Sequence, residues 1–459
     1  MKKAWTLAAL SLALAAAYPA AHAAPNDDIL AELKALKAKV NELEQKLQAQ
    51  DAKIAEMPQG MTPDQQADFN RIAVKTEALE DGRDSLGFKG LKISGYMDPT
   101  FIYNQRRDRA GFQFLNNYND ESTGGYTYDN SYFGAAVLDF LKETDSGTRW
   151  HFTLAPNRGV GATFNGNSPI QEATVSIPLT DLQTRLIAGQ IPDWSGYEYL
   201  QAPLNKLISH NLLFDFTLPT AYTGAGLELT RDKWIIKTVL ANVNTSKRAD
   251  GRTSPALAYR VDYAKGEFQG FGFAGVHGQA ANYSENVPDG AGSFISQPDS
   301  RVDLFEADGY FIRGDWTVQG QVSFGRQKDA SITAAADGSL RDAQWWGLSG
   351  LVAYKFDPRF EGTMRADYLN NSKNGGGLLG YSTADGKNGI GPDQTGGDAN
   401  KGANRAALTF GLSYLWDLNT TFKVEYRYDW ASKAVFEDSG SGDYKKSNQL
   451  LGASVVVTF

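Results

Sequence analysis

The sequence predicts an all-β fold, an antiparallel transmembrane barrel of about sixteen strands preceded by a coiled-coil helix. Three observations carry this. Long stretches alternate apolar and polar residues with period two, and the bulky aromatics gather on the apolar face. Short turns alternate with long loops along the chain. The chain also opens with a secretory leader and contains no cysteine, so an exported protein must draw its stability from backbone pairing or a large core.

The leader comes first. Lys2 and Lys3 supply the charged start, Leu7 to Ala17 the apolar stretch, and Ala21-His22-Ala23 a small-residue cleavage site, so residues 1–23 read as a signal peptide. No later stretch approaches the ~18 consecutive apolar residues that a membrane helix needs.

Residues 24–57 carry a heptad pattern. Leu33, Val40, Leu47 and Ile54 take the a positions, with Leu36, Leu43 and Met57 among the d positions. The flanking charges form attracting parallel pairs, Glu32 with Lys37, Lys39 with Glu44 and Lys46 with Asp51, so the segment favours self-association. Its mixed Leu, Val and Ile core does not distinguish dimer from trimer. Pro58 ends the coil, and Thr62-Pro63-Asp64-Gln65 starts a further helix within the linker, residues 58–90. The arm is expected in the periplasm, as a stalk, a plug or a trimerisation segment in contact with the cell wall.

From Leu91 to Phe459 only strands are expected, each of roughly nine to thirteen residues, the span of tilted strands across a bilayer. Leu91–Asn104 opens the barrel, and a long loop containing Arg106, Arg107 and Arg109 is expected to run to Asp129 before Ser131–Leu141 returns. The last hairpin is the clearest. Phe422, Val424, Tyr426, Tyr428 and Trp430 share one face of a strand, and Lys423, Glu425, Arg427 and Asp429 share the other. An even strand count puts both termini, and the coil, on the periplasmic side of the outer membrane.

The aromatic faces, with Trp150, Trp234, Tyr259, Tyr263, Trp316, Tyr368, Tyr414 and Trp416 on further strands, are expected to meet outer-membrane lipid as a girdle. The opposite faces carry Arg149, Arg260, Asp262, Glu361, Arg365 and Asp367, which with the last hairpin's charges are expected to line a water-filled lumen. The net charge of -8 includes no basic domain, so no nucleic-acid partner is expected.

Enzyme and cofactor signatures fail. Gly270 to Gly275 matches the dinucleotide fingerprint by letter but lies inside an alternating strand with no following helix. His151, His210 and His277 stand far apart, without metal-ligand spacing. No Gly-x-Ser-x-Gly elbow occurs. Glu361 and Asp367 suit pairing with Arg365 better than hydrolysis. No catalytic residue, cofactor or metal is expected.

The connection Ile191–Thr220 is too apolar to float in water. It holds Gly196-Tyr197-Glu198, Pro203 with Asn205, Ser209, Leu212-Leu213-Phe214, Pro219 and then Thr223-Gly224. On these residues the chain resembles the OmpL-like β-barrel porins of bacterial outer membranes, with His210 and Tyr222 departing from the family's Arg and His. In sixteen-stranded porins the third external loop bends into the barrel and narrows the channel. The resemblance therefore implies a passive diffusion channel for small hydrophilic solutes, a homotrimer, and constriction residues Glu198, Asn205, Lys206 and His210. The coil before a barrel is similar to phosphate-selective porins, whose basic lumen ladder this sequence does not show. The other readings are a structural or adhesive barrel anchored through its coil, and an outer-membrane hydrolase.

Overall fold

A computed structural model of the protein describes residues 71–72, 74–75, 88–115, 133–156, 169–244, 255–264, 267–280, 282, 299–331, 337, 339–371, 373, 393, 395–396 and 401–459. The signal peptide and the coiled coil lie outside these residues. The chain divides into two units, Met1–Phe88 and Lys89–Phe459. In the first, residues 71–72 and 74–75 are helical.

The second unit is a closed antiparallel barrel. Its sheet contains 18 strand segments, but the first two wall strands are each interrupted once, which leaves sixteen wall strands. They are β1 (Leu91–Met97 with Thr100–Asn104), β2 (Arg109–Gln113 with Ala136–Glu143), β3 (Arg149–Leu154), β4 (Ile170–Asp181), β5 (Thr184–Pro192), β6 (Ala221–Arg231), β7 (Trp234–Val243) and β8 (Ala256–Ala264). The second half comprises β9 (Gln269–Ala280), β10 (Ser300–Arg313), β11 (Trp316–Gln327), β12 (Ala343–Lys355), β13 (Phe360–Asn370), β14 (Arg405–Leu415), β15 (Thr420–Ala431) and β16 (Ser447–Thr458). Each pairs with its sequence neighbour, and β16 pairs with β1. Closure is sealed by Gly95 and Phe459, whose backbones exchange two hydrogen bonds of 3.1 Å. The barrel sheet closes on itself, so its wall has no free edge among the described residues, as a strand wall in lipid requires.

The opening of the barrel corrects one expectation. Residues 105–108 form a tight turn, and Arg109–Gln113 already pairs with β1 from Asn104↔Arg109 to Thr100↔Gln113. The excursion lies inside β2, between Gln113 and Ala136. Asp98-Pro99 accounts for the break opposite it. Pro99 has no N–H to give the ladder. The buried Asp98 carboxylate instead accepts hydrogen bonds from Gly134 N at 3.1 Å and Ala135 N at 2.6 Å, fastening the chain where it rejoins the wall.

Side chains alternate as the period demands. Arg365↔Thr409↔Arg427 and Asp367↔Ala407↔Asp429 are rungs of one inward face. Trp150, Trp234, Trp316, Trp416, Phe422 and Trp430 stand exposed on the other. The polar face thus lies inside and the apolar face outside, the inverse of a soluble sandwich. Because the expected strand faces follow from period two alone, a boundary error of a residue or two leaves every inward residue inward.

Candidate functional site

The barrel's interior is dominated by the loop Asp193–Thr220, the third connection at the barrel end that begins with the 105–108 turn. It does not stay at the rim. It enters the lumen and returns to β6 through a short helix, α1 (Leu212–Phe216), capped by Asn211, whose side-chain oxygen accepts from Leu213 N at 2.9 Å and Phe214 N at 2.8 Å.

Charge anchors fix the loop to the wall. Arg365, fully buried, donates to the Ser209 carbonyl at 2.7 Å and the His210 carbonyl at 2.8 Å, and pairs with Glu198 at 2.7 Å and Asp367 at 3.1 Å. Arg427 donates to the His210 carbonyl at 2.9 Å and is held by Asp429 at 3.0 Å. Glu425 accepts from Ile208 N at 2.6 Å, from Ser209 N at 3.1 Å and from the Ser209 hydroxyl. Two lysines hold the next turn. Lys206 pairs with Glu361 at 2.7 Å, and Lys423 donates to the carbonyls of Ala202 and Asn205 at 2.8 and 2.6 Å. Charge-assisted bonds of this kind in a site closed to water are strong, and removing one partner strands the other.

An apolar seat completes the contact. Leu212, Leu213 and Phe216 pack with Val239, Val276, Leu304, Trp345 and Leu369, so one side of the lumen is a dry core. Close approach needs glycine on both surfaces. A Cβ on Gly411 of the wall would clash with Leu207 Cδ2, and one on Gly196 of the loop, whose φ is +81°, would meet the Gln321 amide at 2.7 Å.

The sequence-predicted wall residues therefore divide. Arg365, Asp367, Glu425, Arg427 and Asp429 face inward but are covered by the loop, and Glu361 and Lys423 are nearly so. Arg260 is buried among Asp262, Glu306 and Asp308. Arg149, paired with Glu143 at 3.0 Å, stays open, and Asp262 is partly open. The loop residues point to protein as well. Glu198 turns to Arg365, Lys206 to Glu361, and Asn205 accepts from Tyr199 N at 2.9 Å. His210 stacks on Phe214 at 4.0 Å and donates from Nε2 to the Tyr199 carbonyl at 2.8 Å.

What remains open is the wall opposite. His151, 31% exposed, lies between Asp139 at 2.7 Å and Glu172 at 3.0 Å, and Lys237, 33% exposed, pairs with Glu228 at 3.4 Å. Nothing in the sequence favours His151 and Lys237 over the covered charges. Sequence alone assigned no role in the lumen to Ser209, Asp98, Glu306 or Arg405. Arg405 and Asp429, joined at 2.8 Å on adjacent strands, were the pair that period two could have flagged.

Burial sets the protonation of the loop. It pushes His210 down to about 3, with Arg365, Lys423 and Arg427 adding to the fall against the bond to Tyr199. At His210 the seated loop thus binds fewer protons than the released one between pH ~6.5 and ~3. This group's contribution to the seat is lost as pH falls through that window. Burial pushes Glu198 up to about 7 and Asp193 up to about 6, so these carboxyls work in the opposite direction, weakening the seat as pH rises toward those values. Replacing His210 by Asn is expected to flatten the acid side. The melting temperature of the wild type, relative to the variant, should drop between pH 6.5 and 4, and parallel curves would refute the assignment.

The architecture is shared with known outer-membrane proteins. The trimer form of OmpT, an outer membrane protein of Vibrio cholerae, aligns at a TM-score of 0.51 and 11% identity, over 80% of this chain and 99% of that one. The anion-selective porin from Comamonas acidovorans aligns at 0.51 and 10% identity over the same shares. The fold is thus the porin fold that the loop's resemblance implied. No curated protein matches the chain in sequence. Residues 57–459 match a family model described as a protein of unknown function (DUF3138), and the chain belongs to that family.

Proposed function

We propose that the protein is an outer-membrane porin, a passive diffusion channel for small hydrophilic solutes. The observation that carries this reading is the division of the lumen. A loop pinned by buried charges fills one side, and the facing wall keeps its polar side chains in the open. An apolar, aromatic outer wall around such an interior belongs in a bilayer, and the leader read in residues 1–23 would export the chain from the cytoplasm. Passage is then governed by size at the loop and by the wall charges, which on the open side are mostly paired and so favour neither sign strongly.

Ion pairs also explain why no hydrolase is proposed. Glu361 is engaged by Lys206 and Asp367 by Arg365 and Ser349, which leaves neither free to act as an acid or base. The test of the channel is swelling of liposomes carrying the purified barrel. Rates should fall steeply as the sugar grows from a pentose to a trisaccharide, and the absence of swelling with any sugar would contradict the reading.

The trimer form of the Vibrio cholerae OmpT supports a trimer here, and the heptad pattern of residues 24–57 suits a periplasmic assembly segment. Deletion of Asp27–Met57 is expected to lower the oligomer's mass in native mass spectrometry and its melting temperature in detergent. An unchanged mass would assign assembly to the barrel instead.

A further inference from the structure

One edge of the third loop is left over by its anchors. Tyr197, Leu207, Ile208, Leu212 and Leu213 are all buried against the wall, whereas Tyr199 is 53% and Leu204 60% exposed. Slack does not explain it. Asn205 holds the backbone of Tyr199, and Lys423 holds the carbonyls of Ala202 and Asn205 on either side of Leu204. The loop is fixed so that an aromatic ring and an isobutyl group stand exposed on its lumen side. Two apolar side chains held this way present a small, fixed apolar surface to whatever passes.

Its surroundings say which solutes it suits. Tyr199 lies in the field of Arg260, Asp262, Asp308 and Tyr310, so charge and an aromatic surface meet at the same point. The Asp139–His151–Glu172 and Glu228–Lys237 groups add ionic partners on the open wall. A solute with a charge at one end and an apolar body at the other can satisfy both surfaces at once. A polyol ion of equal size must give up water at the apolar edge with nothing to replace it.

We infer that the Tyr199–Leu204 edge is a specificity element that favours organic ions carrying an aromatic or compact apolar body over hydrophilic ions of the same charge and size. The inference rests on the channel reading. Its test is the permeability ratio from bi-ionic reversal potentials in planar bilayers holding the full-length protein, with benzoate against gluconate and benzylammonium against protonated glucosamine. Wild type is expected to prefer the aromatic member of each pair by about threefold to tenfold beyond the ratio of their diffusion coefficients, the factor that one aromatic contact supplies. Tyr199→Ser with Leu204→Ser should bring the ratio down to the diffusional value. Tyr199→Phe with Leu204→Met should retain it, which separates loss of apolar surface from a misplaced loop. A conducting wild type with diffusional ratios, or a ratio untouched by the serine pair, overturns the inference alone. A barrel that passes no ion at all overturns the channel reading and the inference with it.

Discussion

Arg365→Ala should release the third loop from the wall and enlarge the channel. The guanidinium is fully buried and serves the Ser209 and His210 carbonyls, Glu198 and Asp367. Its removal strands two carboxylates and two backbone carbonyls in a space closed to water, an effect of about 3–5 kcal/mol. A larger unit conductance, a raised sugar exclusion limit and new protease cleavage at Lys206 are the expected readouts. Glu198→Ala combined with Arg365→Ala should cost less than the sum of the two, since each deletion strands the other's partner. Wild-type conductance together with wild-type protease resistance would mean that the loop is held elsewhere.

Phe216→Ala attacks the same seat through its apolar half. The ring is fully buried in the cluster around α1 and lies under the Arg405 guanidinium, 5.2 Å from the ring centroid. Truncating a buried Phe leaves a cavity and costs about 3–5 kcal/mol, here concentrated on the helix that ends the loop. A lower melting temperature with flickering, noisier channel openings is expected, because the Arg365 and Glu425 anchors still hold Ile208–His210. A quiet channel melting at the wild-type temperature would show that the dry core contributes nothing to the seat.

How much of this was visible in the sequence depends on distance along the chain. Within the β15–β16 hairpin β15 was fully legible, since Thr421 to Trp430 alternate without a slip and alternation alone assigns the faces, whereas Val455-Val456-Val457 interrupts the pattern in β16. The same logic placed Arg365, Arg427 and Asp429 inside. It could not show that a loop more than 150 residues away covers them, because nothing local distinguishes an arginine that meets water from one that meets the Ser209 carbonyl. The β2 excursion was misplaced for a related reason. Arg109–Gln113 is short and its partner strand is broken at Asp98-Pro99, so its membership of the wall comes from pairing and not from pattern. In the candidate site, the loop's apolar character required it to fold back on protein and the porin resemblance implied the inward bend, but that resemblance made Glu198, Asn205, Lys206 and His210 the constriction residues and gave no sign of Tyr199 and Leu204, which the anchors leave exposed. Exposure within a folded loop is set by which neighbours win the wall, and composition does not record that contest.

Single-channel recording of the purified full-length protein in a planar bilayer should show discrete, long-lived open steps in wild type and steps of larger unit conductance in Arg365→Ala, since the same guanidinium that seats the loop sets the width of the passage. Bilayers that stay silent with verified inserted barrels would rule out a channel, and unit steps identical in the two proteins would rule out a passage set by the seated loop.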